Sequence, residues 1–441
     1  GDGKEPAARE ESLDDVGEAC PPNSYPEQWD IPLLKERVEA VFGLSPPIEQ
    51  WLEVVEHEGR LVHVNVGGLG TRGLAEAAGQ EREAGAVTSA TRTGQEIVLS
   101  NEHLRVTIDS DGLLASVLDR AADREVLAPG SRGNLLQLHP DHPTHYDAWD
   151  LDKHYRHRHT DLTRAESVEL VEDGPLRASV RVVRVFGAGS RITQELRLAA
   201  GSRRLDVVTE VEWRESEKVL KAAFPLDVQA ERSAAEIQFG HVQRPTHANT
   251  SWDAARFEIC AHRWLRVAEE DYGVAVLNDS TYGHDVTRTP HAEGLGTTVR
   301  LTLLRAPHSP DPDTDVGTHH FTYSLLPGAE TGDAVAEGLA LNLPLRVASA
   351  PAVAPLVRVD HPGVTVESVK LAEDRSGDVV VRLYESRGGR ARAVLTTSFP
   401  VSRADVTDLL ERPLHPADTS GPGLSLALRP FQILTLRLTP A

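Results

Sequence analysis

Ala178-Ser-Val-Arg-Val-Val-Arg-Val185, Ile192-Thr-Gln-Glu-Leu-Arg-Leu198 and Leu205-Asp-Val-Val-Thr-Glu-Val-Glu-Trp213 follow one another with only short breaks. Apolar and polar side chains alternate through most of this stretch. A period of two turns one face of a strand to a core and the other to water. Strands wet on one side belong to antiparallel sheets, so the stretch predicts an antiparallel β fold. The same signal recurs upstream in Leu104-Arg-Val-Thr-Ile108 and downstream in Thr298-Val-Arg-Leu-Thr-Leu303. Turn signals such as Asp109-Ser-Asp-Gly112 and Glu172-Asp-Gly-Pro175 separate the runs. Strand signals continue to about residue 345.

Further out the pattern changes at both ends. Leu61-Val-His-Val-Asn-Val66 alternates, then Gly67, Gly68 and Gly70 follow. No phosphate-binding motif with a helical run comes next, so these glycines read as turns. Residues 71–94 read as a connector rich in Ala, Gly, Glu and Thr. Residues 1–18 are acidic and read as frayed. Asp30 as N-cap, Pro32 in the first turn and Leu34, Val38 and Val41 on one face predict a short helix closed by Gly43 and Pro46-Pro47. Ala348-Ser-Ala-Pro-Ala-Val-Ala-Pro355 reads as a linker, and the tail beyond it as a second, small β unit. The expected organisation is a partly disordered helical segment over 1–58 and a short β segment with its connector over 59–94. A large β unit over 95–347 and a small one over 348–441 follow.

Composition narrows the function classes. With 441 residues the chain needs more than one core, and 34 Gly with 28 Pro suit a turn-rich β protein. A net charge of −21 argues against nucleic acid, which demands a basic face. No apolar run approaches the roughly 20 residues of a membrane span. Two cysteines, Cys20 and Cys260, offer no disulfide framework, which points to a reducing, cytoplasmic setting. No signal peptide is visible, and the absence of Met points to a trimmed chain.

The densest polar chemistry lies in Phe239-Gly-His-Val-Gln-Arg-Pro-Thr-His-Ala-Asn-Thr-Ser-Trp-Asp-Ala-Ala-Arg-Phe-Glu258. It breaks the strand alternation. His241, Gln243, Arg244, His247 and Trp252 suit a sugar, which needs forked hydrogen bonds and a flat stacking surface. They equally suit a hydrogen-bonded loop that pins two sheets, because unpaired burial of such groups costs several kcal/mol each. Tyr146-Asp-Ala-Trp-Asp150 is the second candidate, with Asp147, Trp149 and Asp150. Retaining glycosidases use two carboxyls roughly 5 Å apart, but turn capping or pairing with Arg explains two aspartates as well. His139, His142, His145, His154, His157 and His159 crowd the same region. Scattered among Pro and Asp, without Cys at zinc spacing, they read as exposed imidazoles and not as a metal site. Asp311, Asp313 and Asp315 alternate as in calcium loops but lack the central Gly and closing Glu, so an ordered Pro/Asp loop is the reading.

Several motifs in order carry a family resemblance. They are Arg132-Gly-Asn-Leu-Leu-Gln-Leu138, Tyr146-Asp-Ala-Trp-Asp150, Gln243-Arg-Pro-Thr-His247, Ala261-His-Arg-Trp264 and Tyr272-Gly-Val-Ala-Val-Leu-Asn-Asp-Ser-Thr-Tyr-Gly283. Leu303-Leu-Arg-Ala-Pro307, Asp315-Val-Gly-Thr-His319, Arg382-Leu-Tyr-Glu385, Asp408-Leu-Leu-Glu-Arg412 and Pro430-Phe-Gln-Ile-Leu-Thr435 complete the series. From about Leu61 onward the chain resembles the C-terminal region of glycoside hydrolase family 38 α-mannosidases, of the cytosolic and vacuolar type. The resemblance implies a large antiparallel β-supersandwich of the galactose-mutarotase-like kind, then a small β-sandwich. It implies cleavage of terminal α-linked mannose by the complete enzyme, with mannosides or manno-oligosaccharides as substrates. The nucleophile and the ligands of a divalent metal, zinc or cobalt, would belong to an α/β domain whose motifs have no counterpart here. The chain alone is therefore expected to be inactive. In related enzymes an Arg at a comparable Gln-Arg site approaches the cleft, which carries over to Gln243 and Arg244. A Tyr that some members place after Arg-Gly is replaced by Asn134 and Leu135. Residues 20–51 instead resemble a short piece of the helical scaffold of SecA, with no nucleotide-binding motif.

Two function classes follow. One is the cleft-completing part of a mannosidase. The other is a non-catalytic carbohydrate-binding or assembly module, with homo-oligomerisation as one form of assembly. On either view Trp149 or Trp252 is expected at an open surface or under a partner segment.

Overall fold

The computed structural model describes residues 51–57, 60–66, 87–343, 355–419 and 421–441. The helix expected over 30–43, the SecA-like segment up to residue 50 and the linker over 348–354 lie outside them. Trp51–His57 and Arg60–Val66 form an antiparallel hairpin, so extended backbone begins ahead of the expected boundary at residue 59. Ser89–Thr93 is likewise a strand within the expected connector.

The three alternating runs become Arg177–Phe186, Ser190–Ala199 and Leu205–Trp213, paired as an antiparallel meander. Gly187 turns the first hairpin at φ +55, and a Cβ there would collide with the Glu215 carboxylate. That buried carboxylate accepts from the Ala188 N–H and the Ser190 hydroxyl, both at 2.7 Å. The meander is part of a nine-stranded sheet. Leu205–Trp213 pairs not with the next strand in sequence but with Gly317–Pro327, which then pairs with Gly273–Asn278. Trp264–Ala268, Arg232–Ile237 and the edge strand Gly240–Pro245 extend it on that side, and Ser167–Asp173, paired with Arg177–Phe186, forms the opposite edge.

A six-stranded sheet packs against this one. Its central strands are Gly283–His291, Gly294–Ala306, Lys218–Leu226 and Leu135–Pro140. Leu136, Leu138, Leu220, Ala222, Phe224, Val299 and Leu301 turn inward to meet Val180, Ile192, Leu196, Val207, Val211 and Val276. Each large apolar side chain enclosed this way contributes about 1.5–3 kcal/mol. One polar knot sits inside the core. Tyr323 donates to Asn134 Oδ1 at 2.5 Å, while Gln194 donates to the Tyr323 oxygen at 2.6 Å. Asn134 is fully enclosed, so the position after Arg-Gly is a core position. A five-stranded sheet from Ser89–Thr93 to Arg124–Glu125 joins the same core.

The region expected to hold strands up to residue 345 ends differently. Thr331–Asn342 is an α-helix that lays Ala334, Val335 and Leu339 on Trp264, Leu277 and Leu326. Beyond it lies the small sandwich. A five-stranded sheet, Val364–Leu371, Val379–Glu385, Ile433–Pro440, Val401–Thr407 and Pro413–Pro416, faces a three-stranded one. Its own core holds Val366, Val381, Leu383, Leu395, Leu426 and Leu436. The two β units touch through aromatic edges. His241 meets Phe431 at 5.0 Å, and Phe239 meets Tyr384 at 5.6 Å. Mainly antiparallel β structure in a large and a small unit is thus what the sequence pattern required.

Candidate functional site

Lys221 is the least expected residue of the molecule. It lies in Lys218–Leu226, where Leu220, Ala222 and Phe224 face the core. A register shift at Leu220/Lys221 opposite Gly294–Ala306 marks a bulge. The Lys221 side chain points away from the core, yet it is 0% exposed. Tyr155 and Glu258 lie against it from two different loops. Its Nζ lies 2.6 Å from Glu258 Oε1, 2.8 Å from Asp285 Oδ2 and 5.1 Å above the Tyr155 ring. The Tyr155 hydroxyl donates to Glu258, and its ring meets Phe257 at 6.5 Å.

Further charges complete the cluster. Arg300 donates to Asp285 Oδ1 at 2.9 Å, and Arg156 approaches the same oxygen at 3.4 Å. Arg300 also donates to Gln137 Oε1 at 2.8 Å, and Gln137 in turn donates to Asp161 at 2.9 Å. Burial pushes the Asp285 carboxyl up, but Lys221, Arg300 and Arg156 more than cancel it and hold it at about 2. Glu258 moves the other way, because burial and the Asp285 charge outweigh Lys221. Burial, with Lys221 adding to it, lowers His139 and His284 to about 4 each. Both carboxylates therefore answer to cations, and the arrangement acts as an ionic clasp that fastens two loops to one sheet.

None of the sequence-selected residues belongs to this clasp. Asp147 accepts at its carboxylate from the His308 and Ser309 N–H groups at 2.9 and 2.8 Å. Its carbonyl and that of Asp150 accept from Arg305, whose Nε holds Asp141 at 2.6 Å. Both aspartates thus help to fold a loop. Trp149 on that loop is 75% exposed, and Trp252 on the other is 77% exposed, so both indoles lie open on the described chain. His247 approaches Asp253 at 3.5 Å, and Asp253 with Thr250 caps the short helix Ser251–Ala254.

Gln243 and Arg244 are on Gly240–Pro245, so the opening part of the polar run is a strand after all. Successive strand residues face opposite sides. Gln243 lines an open groove with Arg232, Arg266 and Glu269. Arg244 lines a cavity of about 20 Å3 with Ser233, Asp253 and Arg256, room for one water. Arg244 Nη1 and Ser233 Oγ are buried there without a protein partner. His241 goes elsewhere again, between Trp264 and Phe431 under the small sandwich.

The histidine-rich segment corrects one expectation. His139 is buried against Tyr155, while His142, His145, His154, His157 and His159 are exposed. Among the described residues no three His, Cys, Asp or Glu side chains are placed to share a metal ion. No described helix is long and apolar enough to cross a membrane. Lys221, Glu258, Asp285, Tyr155 and Arg300 were not singled out in the sequence. The one available signal was a lysine set inside Val219-Leu-Lys-Ala-Ala-Phe224.

Comparison with known proteins bears on this geometry. Residues 99–313 match the glycosyl hydrolases family 38 C-terminal domain, and residues 363–436 match the family's C-terminal β-sandwich domain. Together the two matches take in well over half of the chain. The human protein Alpha-mannosidase 2C1 is 39% identical over 363 residues, covering 78% of this chain and 34% of that protein. Alpha-mannosidase G of Dictyostelium discoideum is 33% identical over 362 residues, covering 78% of this chain and 32% of that protein. The chain thus spans about a third of the length of the curated relatives it matches. An α-mannosidase structure from Enterococcus faecalis V583 superposes with a TM-score of 0.64 at 17% identity, over 90% of this chain and 49% of that one. A short match to the protein translocase subunit SecA of Coxiella burnetii, 46% identical over 48 residues, covers 11% of this chain.

Proposed function

Because the chain belongs to glycosyl hydrolase family 38 through both of that family's C-terminal domains, we propose that it is the non-catalytic β half of a retaining α-mannosidase. It walls a cleft in which a catalytic α/β domain hydrolyses terminal α-linked mannose. That domain supplies the nucleophile and a divalent metal, zinc or cobalt. Mannosides or manno-oligosaccharides are the substrates, and the cytoplasm is the setting. The observation that carries this reading is the paired match to both domain descriptions in their order along the chain. The engaged state of Asp147 supports it, since a carboxylate capping the turn at His308 and Ser309 is poorly placed to attack a sugar.

The test is release of nitrophenol from an aryl α-mannoside with added zinc or cobalt. The chain alone should not exceed background. Turnover well above background that disappears in Asp147→Asn or Asp150→Asn overturns the reading. A second reading, carbohydrate binding without chemistry, draws on the open indoles of Trp149 and Trp252. Titration with manno-oligosaccharides tests it, with Arg244→Ala and Trp252→Ala as the variants that should weaken binding.

A further inference from the structure

A cavity of about 280 Å3 opens where the small sandwich meets the large one. Gln238, His262, Asp279, Tyr282 and Asn342 line it from the large unit, and Glu367 from the small one. Tyr282 is 59% exposed, which is unusual for so large a ring. His262 backs it at a centroid distance of 5.4 Å, which keeps it as a firm, flat wall. The polar groups are also held in place. Asp279 accepts from the Thr322 N–H at 2.9 Å and from the Ser280 hydroxyl at 2.7 Å. The Asn342 amide donates to Asn278 and Gly338 carbonyls at 2.9 and 2.8 Å, which leaves its own oxygen to accept. Glu367 sits at the register shift between Val366 and Ser368, and a bulge of this kind re-aims a side chain.

Charge selects the ligand class. Arg263, the cation in the wall, is taken by Glu236 at 2.7 Å. Asp279 and Glu367 remain and disfavour phosphates and carboxylates. A neutral molecule with several hydroxyls and one apolar face satisfies both the acceptors and the Tyr282 ring. The volume lies near the lower end of the ~300–1,000 Å3 span of small-molecule sites, which suits one sugar ring and not a chain of them. We propose that this junction cavity binds a single neutral pyranose, with Tyr282 as stacking wall and Gln238, Asp279, Asn342 and Glu367 as hydrogen-bonding groups. The site is separate from the loops of Trp149 and Trp252. It rests on the mannosidase reading only for the choice of mannose as first probe.

The test titrates the full chain with methyl α-D-mannopyranoside, followed by calorimetry and saturation-transfer NMR. Binding with a Kd of about 1–10 mM is expected. Tyr282→Ala and Glu367→Gln should each weaken it roughly tenfold, as the loss of one good contact does. Both positions are exposed, so their urea midpoints should not move, and Gln238→Ala provides a third exposed check. Trp149→Ala and Trp252→Ala should bind as the parent does. No binding at the highest soluble sugar concentration overturns the proposal. Binding that survives Tyr282→Ala and Glu367→Gln, or that vanishes only in the Trp variants, overturns it as well. Binding at this cavity by a chain that also turns over aryl mannosides alone keeps the site and removes the non-catalytic reading.

Discussion

Lys221 has no water to fall back on, and this fixes what its loss does. Lys221→Met leaves Asp285 and Glu258 side by side under a closed cover. Breaking a buried pair from one side costs about 3–5 kcal/mol, and a urea denaturation series should show a loss of that size. Adding Asp285→Asn should cost less than the sum of the two single changes, because the partners are coupled. The neighbouring imidazoles give a pH signature. His139 and His284 sit at about 4 in the folded chain, below their ordinary value near 6.5. The unfolded chain therefore takes up protons first as the pH falls. Their stabilising contribution is full above about 6.5 and is lost as the pH drops through 4, on the order of 3 kcal/mol each. Asp285 keeps its own contribution until lower pH, because it is held near 2. Urea midpoints measured from pH 7 to pH 4 should fall steadily, and a flat profile would contradict the burial of both rings.

At the scale of elements, one guanidinium ties the loop carrying Trp149 at several points, beside the Asp147 carboxylate that holds the His308 and Ser309 N–H groups. Arg305 reaches Asp141 and the carbonyls of Asp147, Ala148 and Asp150. Arg305→Ala should raise the local opening of residues 142–152 by roughly 30-fold, for a loss of about 2 kcal/mol. Limited proteolysis would show it as faster cleavage in that loop, with the rest of the chain intact. Much of the fold was legible at this scale, because strands such as Leu205–Trp213 alternate cleanly. The helix Thr331–Asn342 was not. Its Thr-Gly-Asp-Ala-Val-Ala-Glu-Gly run offers small residues and two glycines in place of a strong apolar stripe. The helix forms because tertiary contact decides it. A Cβ on Gly338 would stand 3.0 Å from Trp264, so the small side chain lets the helix lie close. The clasp was illegible for another reason. Lys221, Glu258, Asp285 and Arg300 come from distant points of the sequence, and only strand order brings them together. Of the residues chosen from sequence, Trp149 and Trp252 met the open-surface expectation, whereas His241 went to the junction of the two sandwiches.

For the whole molecule the junction is the point of leverage. A Cβ on Gly240 would fall 2.7 Å from the Phe431 ring, and one on Gly388 would fall 2.8 Å from the same ring. Gly240→Ala must therefore push Phe431 aside, at a cost of about 1–3 kcal/mol. Calorimetry should then show the small sandwich melting ahead of the large one, and an unchanged single transition would speak against tight packing at Gly240. The order of strands in the nine-stranded sheet adds a matter of timing. Leu205–Trp213 finds its second neighbour in Gly317–Pro327, which a ribosome delivers about 100 residues later, some 5–20 s at ordinary synthesis rates. Through that interval the growing polypeptide carries an unpaired β edge in the middle of what will become its largest sheet. An adhesive strand held waiting makes a nascent chain a client for chaperones, and slower translation beyond Trp213 should lower the yield of soluble protein.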